Sequence, residues 1–369
     1  LENNSWNISL DIVRYGNRDM PQLIETTLED GTVHKIWWKN HKFRIRDTFV
    51  YNVPGKPLYA TLDPDAQTMD IDYRNNFSTK MPEERMLYRP GMNYQPRNKY
   101  VLQYYPTVHY LDKDGYMPGF NFIKTYSNLE NIESSFNLGT KTKKVFYSIN
   151  GWTKTPHRTI DQFNFQIYNF GGVEGIAMRI LKKINADNFE NGLKQIEFGF
   201  YWNQVKDTAR THLYDAGSLI VNSTKMRSSF ASINTELSFD FTPFQSSDWS
   251  FNRITLTNSF DQKFGLLGGR FRHVYGQIWS NQDGVPLQER YNVEGAGSGD
   301  LYQKSYLRDK TSFYGNQNFF GRYHMAGDAN LRAFGNQGFA GVEQVFAITI
   351  EGFLSKSIAG INLELAGFI

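Results

Sequence analysis

The chain of 369 residues has no cysteine, which excludes disulfides, thiolate zinc sites and cysteine nucleophiles together. No run of about 18 apolar residues occurs, so no transmembrane helix is encoded. That absence leaves a membrane β-barrel open, because barrel strands need only about 9–11 residues of alternating polarity. Charge is nearly balanced, with 40 Lys and Arg against 37 Asp and Glu, and no nucleic-acid partner is expected. HExxH and G-x-S-x-G are both missing. The seven histidines (34, 41, 109, 157, 212, 273 and 324) are scattered, so no zinc or other cofactor is expected within this stretch. Gly295-Ala296-Gly297-Ser298-Gly299 lacks the GxGxxG spacing and is read as a loop. Asp63, Asp65, Asp70 and Asp72 lack EF-hand spacing, and turn opening is favoured over calcium binding. The first residues, LENNSWNISLDI, contain neither a basic n-region nor an apolar h-region, so a chain trimmed at its N-terminus is expected.

Aromatic residues, in contrast, are abundant: 29 Phe, 22 Tyr and 7 Trp, diluted by Asn, Ser, Gln and Gly. A transmembrane barrel needs that combination of a lipid-facing aromatic band and a wet interior. A soluble β-sandwich or propeller shows it too. Residues 1–76 read as short strands with turn punctuation, and Glu29-Asp30-Gly31 marks a hairpin. Their spacing predicts a β-sandwich with Trp6, Ile8, Leu10, Ile36, Trp37, Phe43, Ile45, Phe49 and Leu58 in its core. Residues 77–99, rich in Pro, Arg and Met, have neither helical nor strand period and read as a linker. From about Tyr100 the chain is a series of long strands, roughly eleven before the loop that precedes Val342 and two after it. Ile196, Phe198, Phe200 and Trp202 alternate with Gln195, Glu197 and Gly199. Ser228 to Thr242 and Trp249 to Phe264 read as strands about three times the usual length of about 5–6 residues. Trp152, Tyr201, Trp202, Trp249 and Trp279 are candidates for interfacial girdles, or for core positions. Asp215-Ala216-Gly217-Ser218 reads as a plain turn.

Two stretches carry family resemblances. Arg322 to Ile369, RYHMAGDANLRAFGNQGFAGVEQVFAITIEGFLSKSIAGINLELAGFI, resembles the C-terminal part of the bacterial surface antigen superfamily, the outer-membrane barrels of the BamA, TamA and FhaC type. Gln103 to Phe122, a Pro-containing strand, an Asp-Gly turn and a second strand, resembles the opening hairpin of the same barrel. The resemblance implies a lumen loop whose tip falls on Arg332, Phe334 and Gly335, with Ala333 where the family has glycine, and with Glu351 as partner of Arg332. It also implies further C-terminal strands beyond Ile369. TLEDGTVHKIWW followed by LYATLDPDAQTMDIDYRNN resembles the β-sandwich behind the catalytic domain of aminopeptidase N-like zinc peptidases, the gluzincins. That resemblance implies an upstream zinc domain and its peptide substrate.

The expected fold is all-β: an N-terminal β-sandwich (1–76), a linker (77–99) and an incomplete antiparallel transmembrane β-barrel (100–369). The expected role is to anchor and display, or translocate, the upstream peptidase domain in the lipid of a bacterial outer membrane. The catalytic activity, that of a zinc metalloaminopeptidase, would then reside outside this stretch. The alternatives are a non-enzymatic translocation or assembly factor with a periplasmic partner-binding module, and a soluble glycan-binding β protein.

Overall fold

The computed structural model describes residues 5–14, 20–39, 45–68, 70, 72–79, 84–88, 99–111, 114–155, 160–170, 172–184, 193–206, 215–230, 232–243, 247–264, 267–281, 284–291, 342–358 and 361–368. At 84–88, 111, 170, 193, 263–264, 351, 353–358 and 361–368 the backbone alone is described. The described structure is almost entirely β. The strands form a two-stranded sheet, a three-stranded sheet and a fourteen-stranded sheet. The chain divides into two compact units: residues 1–105, 121–133 and 153–158, and the remainder.

In the first unit, β1 (Trp6–Val13) pairs with β4 (Arg46–Val53), while β2 (Gln22–Leu28) lies between β3 (Val33–Trp38) and β5 (Pro57–Leu62). The β2–β3 hairpin turns where the sequence predicts. Gly31 takes φ +82°, a conformation that glycine adopts without steric cost, and Asp30 Oδ1 accepts from the Thr32 amide and hydroxyl. One apolar cluster takes side chains from both small sheets: Ile24, Leu28, Trp38, Tyr51, Val53 and Ala60 are buried, with Ile8, Leu10, Ile36 and Phe49 against them. The predicted core is therefore partly wrong. Trp6, Trp37, Ile45 and Leu58 are exposed, and Phe43 lies outside the described residues. Ile36 and Trp37 are neighbours in an extended strand and so point to opposite faces, and Trp38 is the one that goes inward.

The 63–76 segment is organised by its acids. Asp63, at φ +48°, accepts from the amides of Gln67 and Thr68 and from the Thr68 hydroxyl, so it opens a turn. Asp72 holds Arg74 through paired bonds of 2.8 and 2.9 Å, and the guanidinium also reaches Glu130 Oε2 (3.3 Å), Thr153 Oγ1 (3.2 Å) and the Lys154 carbonyl (2.8 Å). Arg74 lies over the Tyr126 ring, inside a cluster of Tyr73, Tyr100, Tyr126 and Leu129.

The large sheet runs in chain order from β6 (Glu84–Tyr88) to β19 (Ile361–Phe368). Between them lie β7 (Tyr100–Leu111), β8 (Gly115–Tyr126), β9 (Glu130–Leu138), β10 (Val145–Lys154) and β11 (Gln162–Phe170). Next come β12 (Val173–Ile184), β13 (Leu193–Val205), β14 (Gly217–Phe230), β15 (Ile233–Phe241), β16 (Phe251–Phe264), β17 (Leu267–Ser280) and β18 (Gln344–Ile358). Eleven strands thus lie between Tyr100 and the segment before Val342, as the pattern predicts. The eight ladders from β11 to β19 are antiparallel. Among the described residues no pairing joins the end strands β6 and β19.

Two readings of the sequence need correction. The 77–99 stretch contains β6, which pairs in parallel with β7, and five residues are too few for a period to declare itself. Ser228 to Thr242 is not one strand: Phe230 pairs with Ile233, so the chain reverses between them. That turn carries none of the Gly, Pro, Asn or Asp punctuation from which turns are read.

Candidate functional site: the two faces of the large sheet

Register assigns every residue of β11–β18 to one of two faces, because alternate side chains point oppositely. Across six strands the row Ile196, Met226, Leu237, Leu256, Tyr275 and Phe346 is apolar throughout. One adjacent row on this face holds Ile180, Phe198, Thr224, Phe239 and Ile254 and ends in Gln277 and Gln344, and the row on the other side is polar, with Ser228, Thr235, Asn258 and His273. These side chains point away from the protein: Phe198 is 56% exposed and Phe346 is 67% exposed. Along this open face β14, β15, β16 and β17 carry no Asp, Glu, Lys or Arg. In β12 and β13 charged residues reach the open face toward strand ends, at Glu174, Lys182 and Lys194.

The opposite, covered face is polar along its middle rows and apolar beneath residues 284–291. Asn164, Arg179, Ser223, Asp240 and Arg253 form one row, and Glu197, Lys225, Ser238 and Thr255 lie in the next. Here the segment 284–291, with a short 3-10 helix at Leu287–Glu289, folds back as a strap from the end of β17. Asp215 accepts from the Leu287 amide (2.8 Å), and its own amide and carbonyl bond to the Gln288 carboxamide at 2.9 and 3.2 Å. Glu289, 2% exposed, accepts at Oε2 from the Tyr201 hydroxyl (2.8 Å) and from Arg253 Nη1 (3.3 Å). The same Arg253 donates Nε to Asp240 (2.8 Å) and Nη1 to the Glu289 carbonyl (2.8 Å). Burial pushes the Glu289 carboxyl up to about 7 against the pull of Arg253. One guanidinium between two carboxylates leaves a surplus negative charge, which a proton on Glu289 relieves.

Tyr291 completes the strap. Its hydroxyl bonds to Thr255 Oγ1 (2.8 Å) and the Ile254 carbonyl (2.7 Å). Its ring lies over Gly276, where an added Cβ would stand 2.4 Å from Cζ. Val285 and Tyr291 pack into an apolar cluster with Leu219, Val221, Phe251, Val274, Ile278, Val345 and Ala347. Tyr291 and Val342 exchange two backbone bonds of 2.9 Å, so both legs of the 292–341 segment are fastened at the covered face. The arrangement is a clamp: both donors to the Glu289 carboxylate come from the protein itself, and at 2% exposure no substrate reaches it.

The loop-tip residues Arg332, Phe334 and Gly335, with Ala333, lie outside the described residues, as does the Gly295–Gly299 run. Glu351 lies in β18, its backbone opposite Arg270 of β17 and Phe368 of β19. Tyr201 and Trp202 point to opposite faces, so they do not share a girdle: Tyr201 holds Glu289, and Trp202 donates Nε1 to Ser218 Oγ. Asp215, read from sequence as a turn residue, is an anchor of the strap. Glu289 and Gln288 had no sequence signal, since their partners Arg253, Asp215 and Tyr201 lie 36, 73 and 88 positions away. Among the described residues no group of three or more His, Asp and Glu is placed to hold a metal ion.

No protein-family model matches this chain, and no curated protein matches it.

Proposed function

We propose that this chain is a membrane anchor: the fourteen-stranded sheet closes into an outer-membrane β-barrel, and the small sheets form a sandwich-like module carried at its N-terminal side. The observation that carries this reading is the open face, with an exposed apolar row across six strands and no Asp, Glu, Lys or Arg over β14–β17, its remaining residues being neutral polar ones such as Thr235, Asn258 and His273. A water-facing antiparallel sheet puts its polar face outward and buries the apolar one. A sheet in lipid does the reverse. Soluble proteins rarely expose contiguous apolar patches beyond a few hundred Å². In a bilayer the free backbone groups of β6 and β19 need partners, which is the physical reason for closure. The strap supports the same reading: the base of the 292–341 segment lies on the face that would line the lumen. The resemblance to the surface antigen barrels adds a loop tip at Arg332 and Phe334 within that segment.

The displayed cargo is, on the second resemblance, a zinc aminopeptidase-like domain encoded upstream of Leu1. HExxH with a downstream Glu in the upstream gene is the expected finding, and its absence would leave an anchor of different cargo. The anchor itself is tested by fractionating cells that express the full-length protein and running the outer-membrane fraction unheated and heated. A heat-dependent mobility shift in that fraction is the expected result. A soluble protein without a shift would overturn the reading.

A further inference from the structure

We propose that the covered face carries a conduction track for small inorganic anions across β12–β15; this rests on the barrel reading. Four cations, Arg179, Lys183, Lys225 and Arg227, share that face by register with two carboxylates, Glu197 and Glu236. Four minus two leaves two positive charges. The carboxylates are held by the cations: Glu197 by Arg179 (3.9 Å) and Arg227 (3.8 Å), Glu236 by Lys225 (3.3 Å) and Arg227. At Glu197 exposure sharpens the imbalance, while Glu236 is about as exposed as its cations. The Arg179 and Arg227 side chains are 46% and 39% exposed and Glu197 is 12% exposed, so solvent meets guanidinium first. The other acids on this face near the strap, Asp240 and Glu289, are buried against Arg253 and present no charge to water. Rings of Arg and Lys along a pore select anions, and partly exposed cations already shared with carboxylates bind an anion loosely enough to release it. A low-dielectric wall behind such a row strengthens its field.

The test is planar-bilayer recording of the purified full chain under a KCl gradient, with insertion checked in parallel by heat-modifiability. The expected result is a reversal potential displaced toward that of chloride. Arg227→Glu, which cancels the surplus charge, should bring it close to zero. Arg179→Gln, which removes only a half-exposed cation and a long ion pair, should bring it partway. Cation preference in the wild type, or a reversal potential that neither variant moves, overturns the track. A chain that inserts and heat-shifts but passes no current also overturns it, and leaves the anchor standing. A chain that fails to insert overturns the anchor and the track together.

Discussion

The two units of this molecule use the same strand alternation with opposite sign. In the small sheets the apolar residues turn inward to Ile24, Trp38 and Tyr51, and the outward face mixes Trp37 and Val33 with the Glu25–Lys35 ion pair. In the large sheet an exposed, largely apolar face without Asp, Glu, Lys or Arg over β14–β17 turns outward, while the covered face holds both a buried apolar cluster around Leu219 and Phe251 and the ion pairs of Glu197 and Arg253. The hydrophobic effect stabilises the first arrangement in water. In the second the same residues gain nothing from water, and the environment must supply the apolar contact. Alternation therefore identifies a strand, and only exposure says which solvent it was built for.

The comparison breaks most sharply on an outward arginine. Phe239→Arg, in the charge-free zone of the open face, should destabilise an inserted barrel by about 2–4 kcal/mol. Leu58→Arg, at an exposed position of the small sheets, should stay within about 0.5 kcal/mol. Urea titration of the heat-shifted band reads both, and equal small effects would mean that the open face meets water. Next in size is Arg74→Ala in the first unit. It leaves Asp72 and Glu130, 8% and 16% exposed, without their cation. A loss of about 3 kcal/mol is expected, since breaking a buried pair strands a charge. Arg74→Lys should recover only part of it, because one ammonium cannot reproduce the paired bonds to Asp72. Full recovery by lysine would reduce the network to simple charge balance.

Much of this was legible in the sequence, and what was not has physical causes. Asp30-Gly31 and Asp114-Gly115 announce their turns because glycine alone accepts φ +82° and +75° without steric cost. The Phe230–Ile233 reversal has no such residue and was read through. Alternation in β13 gave the two faces correctly, and it is symmetric, so it could not say which was exposed. The strap was invisible because Asp215, Arg253 and Glu289 are ordinary residues until the register of four strands brings them together.

The strap offers a third test, on the covered face. An alanine at Gly276 would drive its Cβ into the Tyr291 ring, so the strap must shift. Gly276→Ala should cost about 2 kcal/mol, by analogy with other overpacked sites. The double variant with Tyr291→Ala should cost less than the sum of the two, because each removes the other's reason to matter. Additive losses would show that Tyr291 does not rest on the covered face.

Per pH unit, the smallest effect expected is a pH dependence set by Glu289. Its carboxyl is pushed up to about 7 by burial, with the Arg253 guanidinium opposing. A folded-state value above the unfolded one means that the folded protein holds the proton more tightly. The stability from that proton is complete below the unfolded value, about 4.3, and is lost as pH rises through about 7. The slope is at most about 1.4 kcal/mol per pH unit within that window and falls to zero above it. Glu289→Gln keeps an acceptor for the Tyr201 hydroxyl and needs no proton, so its stability should be flat where the wild type declines. Urea midpoints of the heat-shifted band at pH 5, 6, 7 and 8 (roughly one unit apart, to span the window) decide it. A wild type as flat as the variant would mean that Arg253 keeps Glu289 ionised despite its burial. The covered face would then hold two full carboxylates on one guanidinium, and the strap would be a fixed clamp with no proton in it.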